Sequence, residues 1–192
     1  MRVGRKSKSL SILATRPASS PRDRNVAQTG GSGHQVSWKV EPKMLYFEDL
    51  AAGQVYKTMG VTVTEDAVIR FSLEYDYQPF HADKVSAEAS RFGGLIASGI
   101  QTIALTMRLC NQAQLLAGNA IAGIGLDETR FLRPLYAGDT IRVVATIAEC
   151  RETKSHPNGG IVTWALQTFN QKDEEIFKTR LTNIMMRRPA TP

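Results

Sequence analysis

Cysteine is scarce in this chain of 192 residues. There are two, Cys110 and Cys150, and they do not form a C-x-x-C pair. Two thiols make no disulfide framework, and their spacing does not fit a structural zinc site. Both sit among apolar neighbours, where a free thiol behaves as a small buried hydrophobe. Histidine is scarce too: His34, His81 and His156. His81-Ala82-Asp83 offers two ligand types in alternation, but no third lies near it in sequence, so no metal is expected. No apolar run approaches the roughly 18 residues that cross a membrane. Acids are missing from two places: residues 1–40 contain only Asp23, and Ser98–Leu116 contains none.

The first of these gaps explains the charge. The chain carries a formal +6, yet residues 1–40 hold eight Lys/Arg (Arg2, Arg5, Lys6, Lys8, Arg16, Arg22, Arg24 and Lys39). The sixteen basic and seventeen acidic residues that follow nearly cancel. The folded part therefore gives no compositional case for nucleic-acid binding. Residues 1–40 are rich in Arg, Ser, Gly and Pro, include the linker Gly30-Gly31-Ser32-Gly33, and have no periodic apolar face. They read as a disordered basic tail. Its large aliphatics before Pro17 are few, which favours a dispensable extension over a transit peptide or a basic arm.

One domain is expected over 44–188, at 42% hydrophobic and 22% charged for the whole chain. The pattern predicts a strand over Val55–Val63 and then a helix over Glu65–Tyr75. Thr64 would cap that helix, with Val68, Phe71 and Tyr75 on one face. A loop over Asp76–His81 and a short helix near Ser86–Arg91 follow. A long, largely enclosed helix is expected from Ser98 to Leu116, with Ile100, Ile103, Ala104 and Met107 at helical spacing. Four strands come next: Ile121–Arg133, a segment alternating on Ile141, Val143, Ala145 and Ile147, then Ile161–Phe169 and Ile176–Met186. Pro157-Asn158-Gly159-Gly160 reads as a turn whose glycines supply positive φ. The fold class is α+β, a meander of antiparallel strands wrapped on a helix.

The most informative residues are Asp76-Tyr77-Gln78-Pro79-Phe80-His81. A carboxylate and an imidazole five apart do not share a helix face, where partners lie three or four apart. Pro79 pushes Gln78 into extended geometry, so the chain should bend and turn both side chains into one pocket. An acid and a base held together are the minimum equipment for adding or removing water across a carbon–carbon double bond. Gly99, opening the enclosed helix, places a free amide N–H at the positive end of its dipole, where a developing oxyanion would be stabilised. The bland alternatives are that His81 only ties the turn to Asp76, and that Gly93, Gly94 and Gly99 only permit tight packing.

The segment Asp76–His81, then Ala82-Asp83, then Phe92-Gly93-Gly94-Leu95-Ile96-Ala97-Ser98-Gly99, resembles the MaoC-like hydratases and dehydratases, including the (R)-specific enoyl-CoA hydratases. Their loop reads Asp-x-Asn-Pro-x-His; Asp76, Pro79 and His81 match, and Gln78 stands where Asn is usual. Ser98 replaces a family His before Gly99. Phe131–Asp139 resembles the family's strand-turn-strand block.

The resemblance implies a hot-dog fold, an antiparallel sheet around a central helix, and a homodimer or dimer-based oligomer. It implies Asp76 and His81 as the catalytic dyad, with Gly99 as the oxyanion donor. Gln78, Pro79, Phe80, Ser98, Met107 and Arg133 would contact substrate, Met107 standing where some members present a serine. The substrate would be an enoyl or 3-hydroxyacyl thioester. The carrier would be coenzyme A, by family frequency, in preference to acyl carrier protein, and no separate cofactor would be required. Arg133, and less so Arg108 and Arg130, could meet its phosphates or be ordinary surface charge. A cytoplasmic location follows if the tail is dispensable, and the mitochondrial matrix if it is a transit peptide. Two other roles on the same fold compete: a thioesterase, disfavoured because Ser98–Leu116 lacks the helix carboxylate such enzymes commonly use, and a non-catalytic acyl-thioester-binding module.

Overall fold

Strict alternation in the longest strand sets the inner surface of the sheet. The computed structural model describes residues 44–189. The basic segment 1–40, with its linker and His34, lies outside them. In β4 (Thr140–Glu152), Ile141, Val143, Ala145 and Ile147 are at most 1% exposed while their neighbours are half-buried, as a period of two requires. β4 pairs with β5 (Gly159–Phe169), β5 with β6 (Glu175–Met186), and β6 with β3 (Ala120–Phe131), all antiparallel. The short β1 (Val55–Lys57) and β2 (Val61–Thr62) both lie along the other side of β4. Among the described residues the order is β1-β4-β5-β6-β3, with β2 beside β4.

Helix α4 (Gly99–Gln112) shares its core with this sheet. Leu109 and Cys110 belong to one buried cluster with Val143, Trp164, Leu166 and Phe177. Thr106 bonds to the i−4 carbonyl of Thr102 and to Thr168 of β5, so its hydroxyl costs little in the interior. Trp164 is fully buried and donates its indole N–H to Asn183 at 3.0 Å. Burying side chains of this size contributes about 1.5–3 kcal/mol each. Sheet and central helix form the hot-dog layout expected from the sequence. No helix among the described residues is long and apolar enough to cross a membrane.

Several elements depart from expectation. The strand at Val55–Val63 breaks into two: Lys57 faces Val144 and Val61 faces Ile141, which is one residue too many on the outer strand and so a bulge. α1 runs over Glu65–Tyr75 as expected, and Thr64 accepts from the Ala67 amide. Its inner face, however, is Val68 and Ser72. Phe71 and Tyr75 instead stack on each other, with Tyr75 64% exposed. The loop Asp76–His81 contains a turn of helix, α2 (Pro79–Ala82). α3 (Lys84–Glu88) starts earlier than expected because Asp83 caps it, accepting from the Val85 amide.

α4 is shorter than the apolar pattern suggested. Gln114 adopts φ +58, and Leu115 and Leu116 then fold into the core. Its buried side is Gln101, Thr102, Thr106, Leu109 and Cys110, whereas Ile100 is 56% exposed. Gly159 and Gly160 are not turn residues of positive φ but buried members of β5. They are needed for their size. A Cβ on Gly160 would lie 2.2 Å from the Phe47 ring, and one on Gly159 would lie 2.7 Å from Ile184.

Candidate active site

The site is built where α1 stops. Asp76 is the C-terminal cap of α1, its amide bonded to the Ser72 carbonyl. Gln78 is extended at φ −126 and ψ 143, as a residue before proline should be. Pro79 then occupies the first position of α2, where a missing N–H costs nothing. That bend turns His81 inward to 5% exposure and leaves the Asp76 carboxylate partly open.

The imidazole is anchored by the segment leading into α4. His81 Nδ1 lies 2.7 Å from the carbonyl oxygen of Ile96. A carbonyl only accepts, so Nδ1 carries the proton of this bond, and Nε2 is the nitrogen left to face the cleft. Nε2 stands 3.8 Å from Asp76 Oδ2. Asp76 Oδ1 accepts from Gln78 Nε2 at 3.0 Å. Gln78, standing where the motif has Asn, thus steadies the carboxylate. Phe80 packs edge-on to the imidazole at 4.6 Å and against Phe92 at 5.1 Å.

Ile96 is tied in turn. It bridges to Tyr136, and the Ala97 amide donates to Leu135, so the turn after β3 holds the entry to α4. Ser98 caps α4: its Oγ accepts from the Gln101 amide, and its carbonyl accepts from both the amide and the hydroxyl of Thr102. The Gly99 N–H, at the first helical position, has no intrahelical acceptor.

Asp76, Gln78, Phe80, His81, Gly99 and Arg133 line one cleft of about 500 Å³. The structure therefore brings together the expected dyad, the amide donor and three of the expected contact residues. Pro79, Ser98 and Met107 do not line it. Pro79 shapes the bend, Ser98 is fully buried as a helix cap, and Met107, two turns along α4 from Gly99, packs against the core. Arg108 lines a separate hollow with Arg70 and Phe71, and Arg130 donates to the carbonyl of its neighbour Thr129.

Sequence reasoning missed Arg91, Phe92, Thr102 and Phe131 as lining residues. Arg91 lies over the Phe92 ring at 4.7 Å. Phe131 was visible as part of the third block, but nothing local shows that it reaches Gly99. The Glu174 carboxyl is held below its usual range, chiefly by a hydrogen bond from Asn170 and in smaller part by the charges of Arg133 and Lys172. Among the described residues no three His, Cys, Asp or Glu side chains converge as a metal-binding group.

Residues 48–166 match the family model of the MaoC like domain. The chain belongs to that family. It is 32% identical to the uncharacterized protein YdeM of Bacillus subtilis over 140 residues, which covers 73% of this chain and 98% of YdeM. It is 35% identical over 104 residues to 3-hydroxyacyl-thioester dehydratase Z of Mycobacterium tuberculosis, covering 52% of this chain and 69% of that protein. The crystal structure of a MaoC-like dehydratase from Rhodospirillum rubrum superposes with a TM-score of 0.70 at 37% identity, covering 76% of this chain and 99% of that one. The MaoC-like assignment thus joins a cleft already built from the dyad and the helix-start amide to a family with thioester dehydratases in it.

Proposed function

We propose that this MaoC-like protein reversibly hydrates an enoyl thioester to the 3-hydroxyacyl thioester, with coenzyme A as the carrier. One observation carries the reading: Asp76, His81 and the Gly99 amide meet in a single cleft, and the His81 ring is oriented from behind by Ile96.

In the direction of hydration, the thioester oxygen accepts from the Gly99 N–H, at the positive end of α4. Water held by the Asp76 carboxylate attacks C3 and gives up a proton to that carboxylate. The C2=C3 electron pair moves towards the thioester oxygen, and C2 then receives a proton from Nε2 of the His81 imidazolium; the proton gained by Asp76 passes to Nε2 and restores the starting pair. Dehydration runs the same transfers backwards: neutral Nε2 takes the C2 proton, and the Asp76 carboxyl protonates the departing hydroxyl. The reaction forms one C–O and one C–H bond from water with no net oxidation or reduction, so the coenzyme A of the substrate is the one small-molecule carrier the mechanism needs. Arg91 and Arg133 at the cleft supply positive charge suited to its phosphates.

A homodimer completes the reading. β3 pairs with β6 on one side, and its other edge is free of backbone pairing among the described residues. It exposes Ile121, Ile124 and Leu126 by 44, 55 and 41%. A long apolar edge of this kind invites a second copy.

The test is a screen of enoyl-CoA substrates at the enone absorbance, with released thiol followed in parallel by a thiol dye. Loss of absorbance without thiol release supports the hydratase. Thiol release at comparable rate would replace it with a thioesterase, and tight acyl-CoA binding with neither signal would replace it with a binding module.

A further inference from the structure

The ring of Phe131 lies on Gly99. A Cβ built on Gly99 would stand 2.8 Å from Phe131 Cζ and 3.0 and 3.2 Å from the two Cε atoms, closer than side-chain carbons ordinarily approach. The tip of the ring, not its base, makes the contact. The backbone of Phe131 is fixed: it is the last residue of β3 paired with β6, opposite Phe177, and the two amides that follow both donate to the Ile176 carbonyl. The side chain is less constrained. It stacks on buried Phe177 at 5.4 Å between ring centres and is otherwise 55% exposed, facing the cleft. An apolar ring this exposed, held at its base and resting its tip on the helix start, forms a wall of the cleft.

We infer that Phe131 is the specificity-determining residue of this site, and that its ring excludes substituents on C2 of the acyl group. The inference rests on the hydratase reading. A thioester oxygen bonded to the Gly99 amide brings C1 and C2 next to Gly99. The atoms of the ring tip already occupy the space over that glycine. A straight acyl group passes edge-on beneath the ring, whereas a methyl on C2 meets it. Bulk farther along the chain lies away from this contact, so the ring discriminates branching near the carbonyl and not chain length.

The experiment compares two five-carbon isomers, trans-pent-2-enoyl-CoA and 2-methylbut-2-enoyl-CoA, as substrates of the wild type, Phe131→Leu and Phe131→Tyr. Leucine removes the ring tip, and tyrosine extends it from Cζ towards Gly99 while keeping the stack on Phe177. The branched-to-straight ratio of kcat/KM is expected to rise in Phe131→Leu by about tenfold, the discrimination one methyl group commands in an apolar pocket. It is expected to fall in Phe131→Tyr. Unchanged ratios in both variants, with melting temperatures near wild type, would overturn the inference. So would a change confined to chain length in a straight series from but-2-enoyl to oct-2-enoyl. If the wild type hydrates neither isomer nor any member of the straight series, the hydratase reading fails on its own. Calorimetric binding of butanoyl-CoA and 2-methylpropanoyl-CoA to the same three proteins then decides: a shifted affinity ratio in Phe131→Leu supports the wall, and an unshifted one removes it.

Discussion

His81 donates its Nδ1 proton to the carbonyl oxygen of Ile96 across 2.7 Å, from a ring that is 5% exposed. The bond fixes the tautomer and aims Nε2 at the cleft, and it also satisfies a buried carbonyl. Replacing the ring therefore has two separable effects. His81→Ala and Asp76→Asn should each lower kcat for enoyl-CoA hydration by about 10²–10⁴-fold, the usual contribution of a positioned acid or base. His81→Ala should in addition lose about 1–3 kcal/mol of stability in thermal melts, because the Ile96 carbonyl loses its donor. Asp76→Asn, at a partly open cap, should melt near wild type. Retained turnover in either variant would remove the dyad from the mechanism.

Gly99 and Phe131 form a coupled pair. Gly99→Ala puts a methyl against the ring tip, where a Cβ would stand 2.8 Å from Cζ. The helical backbone at that position accepts alanine, so the loss should appear in kcat/KM and not in helix content. Adding Phe131→Leu to Gly99→Ala should recover part of the lost activity, giving a non-additive double-mutant cycle. Additive losses would show that the two residues act independently.

Gln78 restrains Asp76 by a 3.0 Å bond from its amide. Gln78→Leu should lower kcat by less than Asp76→Asn does and leave the melting temperature unchanged, since Gln78 is exposed. Steady-state kinetics and a melt on the same preparation check both halves.

The two thiols should be inert in the native protein. Burial pushes the Cys110 thiol up to about 12, and burial with the nearby charge of Glu149 raises Cys150. Thiolate, the reactive form, is then almost absent from Cys110 at pH 8 and made scarcer at Cys150. A colorimetric thiol reagent should label neither at an appreciable rate until denaturant is added. The same shift has a stability consequence. A group whose folded pKa is raised gives stability that is complete below its unfolded value near 9, and that stability is lost as pH rises towards the folded value of about 12. Alkaline melts should therefore steepen above pH 9, and Cys110→Ala should lessen that dependence.

Gly160→Ala tests the packing of the 3-10 turn at Phe47–Asp49 on β5. The new methyl would sit 2.2–2.4 Å from three carbons of the Phe47 ring, itself 9% exposed. Overpacking of this kind costs about 1–3 kcal/mol. At about 2–4 °C per kcal/mol for a chain of this size, calorimetry should resolve the shift.

The parts legible in the sequence were those governed by short-range rules. The two-residue period of β4 gave its inner face, Thr64 marked the start of α1, and Pro79 forced the extended Gln78. The buried face of α4 is not legible from residue type, because Thr102 and Thr106 are polar but satisfy their hydroxyls within the helix and against Thr168. The glycines at 159 and 160 look locally like turn formers, because φ is the local reason for glycine. Their actual reason, the approach of Phe47 and Ile184 from distant segments, is not written nearby.

The sequence alone determined that an acid and a base would share a bend, and that a glycine amide would open the central helix, because proline geometry and helix termini act within a few residues. Only the tertiary structure decided which imidazole nitrogen faces the cleft and which ring stands over Gly99. Those depend on Ile96 and on the end of β3, brought to the site by packing between segments far apart in the chain.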